Sequence, residues 1–399
     1  MNILVLTSNY PASDLPKEIT PVVHYFTREW VKVGVNVLVV HNQTVFPQAV
    51  YLVLRHLKRF LANKAGFIFA ADKPVERDYR SDGVPVFRRN ICKLLPRTPF
   101  LKSSYNRMLR EIGKILDEND FEPDIILGHW LTPQLYLLHE LKHKYPSATT
   151  VLTVHEGRPV LERDYGEKGE LYLKSIDRIC FRSRNIKDTF MGRHHIEIPT
   201  FICYSGVPQK FFSGGSSKNF DRKMTRFTFV GTLIERKHPE AIIKALQGYG
   251  CEGLSIDFIG EGKMAGKLME LSCSLGMEEY VHLHGRIDRK DVAGVLSQTD
   301  CFVMISQEEA FGLVYLEAMA NGCLTVASRH EGMDGIIHDG ENGFLCTAGD
   351  WKELRGIIDR INGLSPEDKQ RISEAAVKTS QALTDAKVAE NYLNFMSTK

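Results

Sequence analysis

The chain has 399 residues, 43% of them hydrophobic and 25% charged, with a formal net charge of +2 at pH 7. That balance excludes a disordered chain, and the length fits two domains with sizeable cores. The apolar run at residues 1–6 is too short for a secretory signal and no uncharged stretch approaches the roughly 20 residues that span a bilayer, so a cytosolic location is expected.

In chain order, apolar strand-like runs occur at 3–6, 35–40, 124–129, 148–155 and 178–183, with helical patterning between them, which predicts a parallel α/β sheet. Residues 41–115 hold three times as many Lys and Arg as Asp and Glu. Within that region Val50, Val53, Leu54, Leu57, Phe60 and Leu61 recur at helical spacing beside Arg55, Lys58, Arg59 and Lys64, so 50–64 reads as an interfacial helix. A second basic and apolar stretch at 87–116 would extend the same surface toward anionic lipid headgroups. The competing reading is a solvated basic face on a core-packed helix. No nucleic-acid recognition motif accompanies the charge, and nucleic acid is not expected as a partner.

The strand pattern restarts at 227–231, 255–260, 281–285, 301–306 and 324–328. Between the two series, 205–226 carries a Gly and Ser cluster that marks a flexible connection. The expected organisation is therefore two Rossmann-like domains, at 1–205 and 206–380, followed by a terminal helix at 381–399. Eight cysteines are scattered without a CxxC pair, several in apolar runs, which predicts reduced core thiols and indicates neither a zinc site nor a disulfide framework.

The most informative segment is EEAFGLVYLEAMANG at 308–322. Residues 306–310 read as a loop and 311–320 as a helix with Leu313, Leu316 and Ala320 on one face. Glu309 then precedes the helix and Glu317 lies inside it. Backbone N–H groups near Phe311, Gly312 and Leu313 would point out of the helix start, where the dipole favours an anion such as a diphosphate.

This segment resembles the signature of retaining glycosyltransferase family 4, and further pieces follow in family order. They are Gly231-Thr232-Leu233 leading to Arg236-Lys237, Gly260-Glu261-Gly262, Gly285-Arg286-Ile287, and 339–344 (DGENGF). Together they cover most of 226–346. The resemblance implies an α/β GT-B fold, two facing Rossmann-like domains with a C-terminal crossover helix that packs back on the N-terminal domain. Ligands of such sheets bind outside the carboxyl ends of the strands, where these motifs fall.

Lys237 and Arg236 would supply fixed positive charge for a departing nucleoside diphosphate, lowering the barrier without a metal. By resemblance, Glu317 accepts hydrogen bonds from the nucleotide ribose, Glu309 contacts donor-sugar hydroxyls and His155 approaches the reacting centre. Gly231, Thr232, Gly260, Arg286, Ile287, Phe311, Gly312 and Leu313 complete the expected donor site, with Thr20 and His129 as acceptor contacts. The chain departs from the family pattern at Thr232, where Arg is frequent, at Thr20-Pro21 in place of a glycine, at Cys323 in place of proline, and at Gly335 in place of an acid.

The resemblance implies a metal-independent, retaining hexosyltransferase-type enzyme with no cofactor. It would move a sugar from a nucleotide-diphosphate sugar, foremost a UDP-sugar, to a glycan or lipid-linked glycan acceptor in surface polysaccharide biosynthesis, at the inner face of the cell membrane. A nucleotide-sugar epimerase of the same fold and a non-catalytic nucleotide-sugar-binding protein are the alternatives. An oxidoreductase is disfavoured because no G-x-G-x-x-G follows the first strand.

Overall fold

The computed structural model describes residues 1–14, 21–51, 74–95, 98–212 and 218–398. Thr20 and residues 52–64 of the expected interfacial helix lie outside them. The chain divides into two compact units, one formed by Met1–Arg182, Ile186–Cys203 and the residues from Val388 onward, the other by Ser183–Asn185 and Tyr204–Lys387.

The first unit is built on an eight-stranded sheet: β1 (Asn2–Thr7), β2 (Asn36–Val45), β3 (Arg77–Ser81), β4 (Val84–Cys92), β5 (Ile125–His129), β6 (Thr149–Val154), β7 (Arg178–Phe181) and β8 (Thr200–Ile202). Their spatial order is β3-β4-β2-β1-β5-β6-β7-β8, parallel throughout except for the β3–β4 hairpin. The strands predicted at 3–6, 35–40, 124–129, 148–155 and 178–183 are β1, β2, β5, β6 and β7. Central β1 and β5 are almost wholly buried, as a sheet covered on both faces requires. Order reverses between β1 and β5, which places Asn9 and His129 beside the switch point of this sheet.

β3 and β4 were not anticipated, because RDYRS and VPVFRRNIC carry charges inside the strands. The hairpin closes on Asp82-Gly83, both with positive φ (48° and 83°), the geometry a two-residue Asp-Gly turn adopts. Arg88 on β4 is 0% exposed and donates from Nη1 and Nη2 to the two carboxylate oxygens of Asp14, at 2.9 and 2.7 Å. The helix Lys102–Glu118 buries Tyr105, Met108, Ile112, Ile115 and Leu116 in the first unit. Both facts place part of 87–116 inside the protein and leave Leu94, Leu95, Leu101, Lys102 and Arg110 among its exposed residues. Its strand charge is paired internally, and the apolar face of its helix packs into protein.

Part of the helix Asp385–Ser397 completes this unit. Trp30 Nε1 donates to Ala389 O at 2.8 Å, and the Tyr392 ring, 0% exposed, meets Phe26 and Trp30 edge-on. Residues 381–387 belong instead to the second unit, because Val207 N donates to Leu383 O at 2.9 Å and Asp385 N to Val207 O at 3.2 Å.

The second unit holds a six-stranded parallel sheet of β9 (Arg226–Val230), β10 (Ser255–Ile259), β11 (Val281–Gly285), β12 (Cys301–Val303), β13 (Leu324–Ser328) and β14 (Phe344–Cys346). Five of these answer to the second series of predicted runs, with β12 ending at Val303 rather than at 306. The order is β11-β10-β9-β12-β13-β14, the doubly wound Rossmann arrangement. Its core gathers Phe227, Phe229, Phe258, Phe302 and Leu316, each 0% exposed. Reversal occurs between β9 and β12, so the segments leaving those two strands, at 231–237 and 304–312, flank the position where open α/β sheets bind ligands.

Candidate active site

Glycine shapes the first of these segments. A Cβ on Gly260 would lie 2.0 Å from Gly231 O, and one on Gly262 would lie 2.2 Å from Leu233 O. The turns after β9 and β10 are therefore in backbone contact, secured by Gly231 N to Ile259 O at 2.8 Å and Leu233 N to Glu261 O at 2.9 Å. Thr232 is exposed on this turn. The chain then forms one 3-10 turn, Glu235–Lys237, and His238 at φ 47° redirects it into the helix Glu240–Leu246.

That turn aims Lys237 across the switch point. Lys237 Nζ lies 3.1 Å from Glu309 Oε2, with both side chains 13% exposed, and 3.6 Å from Met304 Sδ. Arg236 Nη1 lies 3.9 Å from the same carboxylate oxygen and donates to the carbonyls of Gln307 and Glu308 at 3.3 Å. Gln307 N returns a bond to Arg236 O at 2.6 Å, so the loops after β9 and β12 are tied together.

The expected helix at 311–320 begins at Leu313 instead. Gly312 is its N-cap in the left-handed region, φ 81°, with no side-chain cap, and a Cβ there would sit 2.4 Å from the Tyr315 ring. Phe311 and Gly312 accordingly precede the helix, and Tyr315 N donates to Gly312 O at 3.1 Å while the N–H groups ahead of it, of Leu313 and Val314, stand at the helix start, where no intrahelical acceptor exists. Phe311 is buried, its backbone so close to Gly332 that a Cβ on that glycine would be 2.5 Å from Phe311 Cα. Tyr315, also buried, donates to Met304 O at 2.5 Å and braces the helix against the loop.

Glu317 is 4% exposed, and its Oε1 accepts from Arg289 Nε at 2.7 Å and from Arg289 Nη2. Arg289 opens the helix Arg289–Gln298, and its guanidinium lies over the Phe211 ring, 5.8 Å from the centroid. Arg286 is exposed after β11, and Ile287 is half-buried against the core.

Two residues of this site escaped the sequence reading. Arg289 is one. The other is Glu331, in the turn after β13, whose two oxygens accept from Glu308 N at 3.0 Å and Glu309 N at 2.8 Å. Burial raises its pKa, against the lowering effect of those two N–H donors, and the neighbouring Glu309 and Glu308 raise it further. Its place at a strand end, like Gly231 and Gly260, was the signal available.

In the first unit, His129 and His155 leave neighbouring parallel strands, and His129 Nδ1 lies 3.0 Å from His155 Nε2. His129 is 0% exposed, which corrects its expected role as an acceptor contact: it touches His155 from the core side. Burial holds both rings well below the usual histidine range, aided by the positive charge of Arg182 and, for His155, by His129. Both are neutral imidazoles at physiological pH. His24, buried on the helix Val22–Lys32, is spent on Tyr10 and Asp82, at 3.0 Å each.

Among the described residues, no group of three His, Cys, Asp or Glu side chains could hold a metal ion, and no helix is long and apolar enough to cross a membrane.

The arrangement in the second unit joins a lysine, an arginine and an uncapped helix start, where an anion would be held, with carboxylates that could accept hydroxyls. The family model for glycosyl transferases group 1 matches residues 216–379, which contain all of it. An uncharacterised glycosyltransferase of Methanocaldococcus jannaschii is 27% identical over 282 residues, 67% of this chain and 75% of that protein. The lipopolysaccharide core biosynthesis glycosyltransferase LpsE of Rhizobium meliloti is 31% identical over 175 residues, 43% of this chain and 49% of its own length. Among solved structures, Anabaena HepE in complex with UDP aligns over 100% of both chains, with a TM-score of 0.71 at 16% identity. HepE has also been solved with UDP-glucose. These matches do not favour the epimerase or non-catalytic alternatives. Residues 216–379 thus carry a domain of the glycosyl transferases group 1 family, and the chain as a whole has the GT-B fold.

Proposed function

We propose that the chain is a family 4, retaining, metal-independent glycosyltransferase that takes a UDP-sugar as donor and a glycan or lipid-linked glycan as acceptor in surface polysaccharide biosynthesis. The observation that carries this reading is the Lys237–Glu309 contact beside the uncapped start of Leu313–Ala320. A diphosphate seated on that helix start meets Lys237 and Arg236, whose fixed charge stabilises the leaving oxygen as the bond to the sugar breaks. Glu309 accepts from sugar hydroxyls and Glu317 from the ribose. By the family resemblance, His155 contacts a sugar hydroxyl. The leaving phosphate oxygen takes the proton of the incoming acceptor hydroxyl on the same face, which retains configuration and requires no separate protein base.

The uridine base is suggested by HepE, and the acceptor class by the lipopolysaccharide role named for LpsE. Exposed Leu94, Leu95 and Leu101, followed by exposed Lys102 and Arg110, support peripheral association with an anionic membrane at the cytosolic face.

Thermal stabilisation by UDP, GDP, ADP and CMP in EDTA tests the donor site. UDP is expected to raise the melting temperature most, and Lys237→Ala and Glu317→Ala to diminish the shift. No shift with any nucleotide would overturn the reading.

A further inference from the structure

We infer that His129 is a positioning residue that holds His155 in the tautomer with its proton on Nδ1, so that the first unit presents a hydrogen-bond donor to its ligand. The inference deepens the proposed contact of His155 with the donor sugar and rests on it only for the identity of that ligand.

Strand register creates the pair. In the β5–β6 ladder Gly128 sits beside Leu152 and His129 beside Thr153. Just past the strand ends, His129 Nδ1 comes to 3.0 Å from His155 Nε2. Trp130, at φ 71°, turns away and donates its backbone N–H to Thr153 O at 3.0 Å. Its indole then lies flat on the His155 imidazole, with centroids 4.0 Å apart and planes 15° from parallel. The hydrogen bond sets the rotation of the His155 ring within its plane, and the indole sets the plane.

Which nitrogen carries the shared proton follows from the far side of His129. His129 Nε2 is buried and finds no partner among the described residues, while the ring is enclosed by Phe26 and Tyr392. Both rings are neutral, so each carries one proton. Were His155 the donor, His129 would keep its proton on Nε2, an N–H buried without an acceptor. Were His129 the donor, Nε2 would hold only a lone pair. Orphaned buried N–H groups are the rarer defect. His129 Nδ1–H therefore donates to His155 Nε2. The His155 proton sits on Nδ1, which makes no hydrogen bond within the described chain, on a residue that is half-buried. A donor at that place suits a sugar hydroxyl or ring oxygen and leaves the acceptor's proton to the leaving phosphate.

The test is the long-range proton–nitrogen spectrum of the full chain labelled with [15N]histidine, with the His155 signals assigned through His155→Asn. The expected pattern shows His155 protonated on Nδ1 with a pyridine-type Nε2. Protonation on Nε2 in the unsubstituted chain would overturn the inference. His129→Asn can return an amide N–H to the position of Nδ1 and should keep the tautomer. His129→Leu should release it to a mixture and lower turnover of a UDP-sugar about tenfold, through kcat more than KM. Should His129→Leu fail to fold, the spectrum of the unsubstituted chain still decides. A correct tautomer whose signals do not move with UDP-sugar would sink the proposed sugar contact and leave the inference standing.

Discussion

Arg289 directs both Nε and Nη2 at one oxygen of Glu317, inside the helix whose start forms the candidate diphosphate seat. Glu317 is thereby held in place before any nucleotide arrives. Removing the arginine leaves a buried carboxylate uncompensated, at a cost of about 3 kcal/mol. Arg289→Ala should lower the urea midpoint and also weaken UDP binding, whereas Glu317→Gln should weaken UDP binding with the smaller stability loss. Titration calorimetry with urea unfolding separates the two; equal UDP affinity in all three proteins would remove Glu317 from the ribose.

Gly260 admits no side chain. Its φ of 139° and the 2.0 Å approach to Gly231 O mean that Gly260→Ala must separate the turns after β9 and β10. Backbone strain of this kind costs about 1–3 kcal/mol. A lower melting temperature is expected together with at least tenfold weaker UDP binding, because the shift displaces Lys237. Native-like UDP binding would show that the turns tolerate separation.

Lys237→Ala should reduce sugar transfer by about 10²–10³-fold, the usual cost of removing a preorganised stabilising group in an enclosed site. Arg236→Ala should cost less, since its side chain is 40% exposed. Initial rates at saturating UDP-sugar check the order; a larger loss at Arg236 would reverse the assigned roles.

Asp14 has its carboxyl held below the ordinary value of 3.8, chiefly by its hydrogen bonds from Arg88. The folded pKa lies under the unfolded one, so the contribution is present above about pH 4 and lost as pH falls through the folded value. Asp14→Asn should flatten that part of the acid-unfolding curve and leave stability at pH 7 reduced. Urea midpoints between about pH 2 and 7 provide the measurement, and an unchanged acid limb would dissociate Asp14 from it.

Vesicle flotation tests the membrane reading. Binding to phosphatidylserine vesicles should exceed binding to phosphatidylcholine and fall with salt, and the double substitution Lys102→Glu with Arg110→Glu should weaken it by about 1 kcal/mol per cation removed. Equal binding to both lipids would refute an electrostatic contribution.

Most of the sheet architecture was legible because buried parallel strands such as ILVL at 3–6 and VNVLVV at 35–40 are nearly continuous apolar runs. β4 was not, since Arg88 reads as a surface charge until Asp14, 74 residues away, is seen to neutralise it. The start of Leu313–Ala320 moved by two residues because Gly312 takes a left-handed turn that periodicity does not register. Lys237 and Glu309 carry their signal in local motifs, yet their 3.1 Å contact spans 72 residues. Arg289 and Glu331 had no such motif, and the burial of His129 depended on rings from distant parts of the chain.

Trp30 and Tyr392 sit in one core although they lie 362 positions apart in the chain (392 − 30). The second unit, apart from Ser183–Asn185, is continuous from Tyr204 to Lys387. During synthesis, every strand of that unit leaves the ribosome before Ala389 can accept from Trp30 or Tyr392 can meet Phe26. The half of the enzyme translated first is thus the half completed last, its aromatic core waiting open for a helix translated after the whole donor-binding unit.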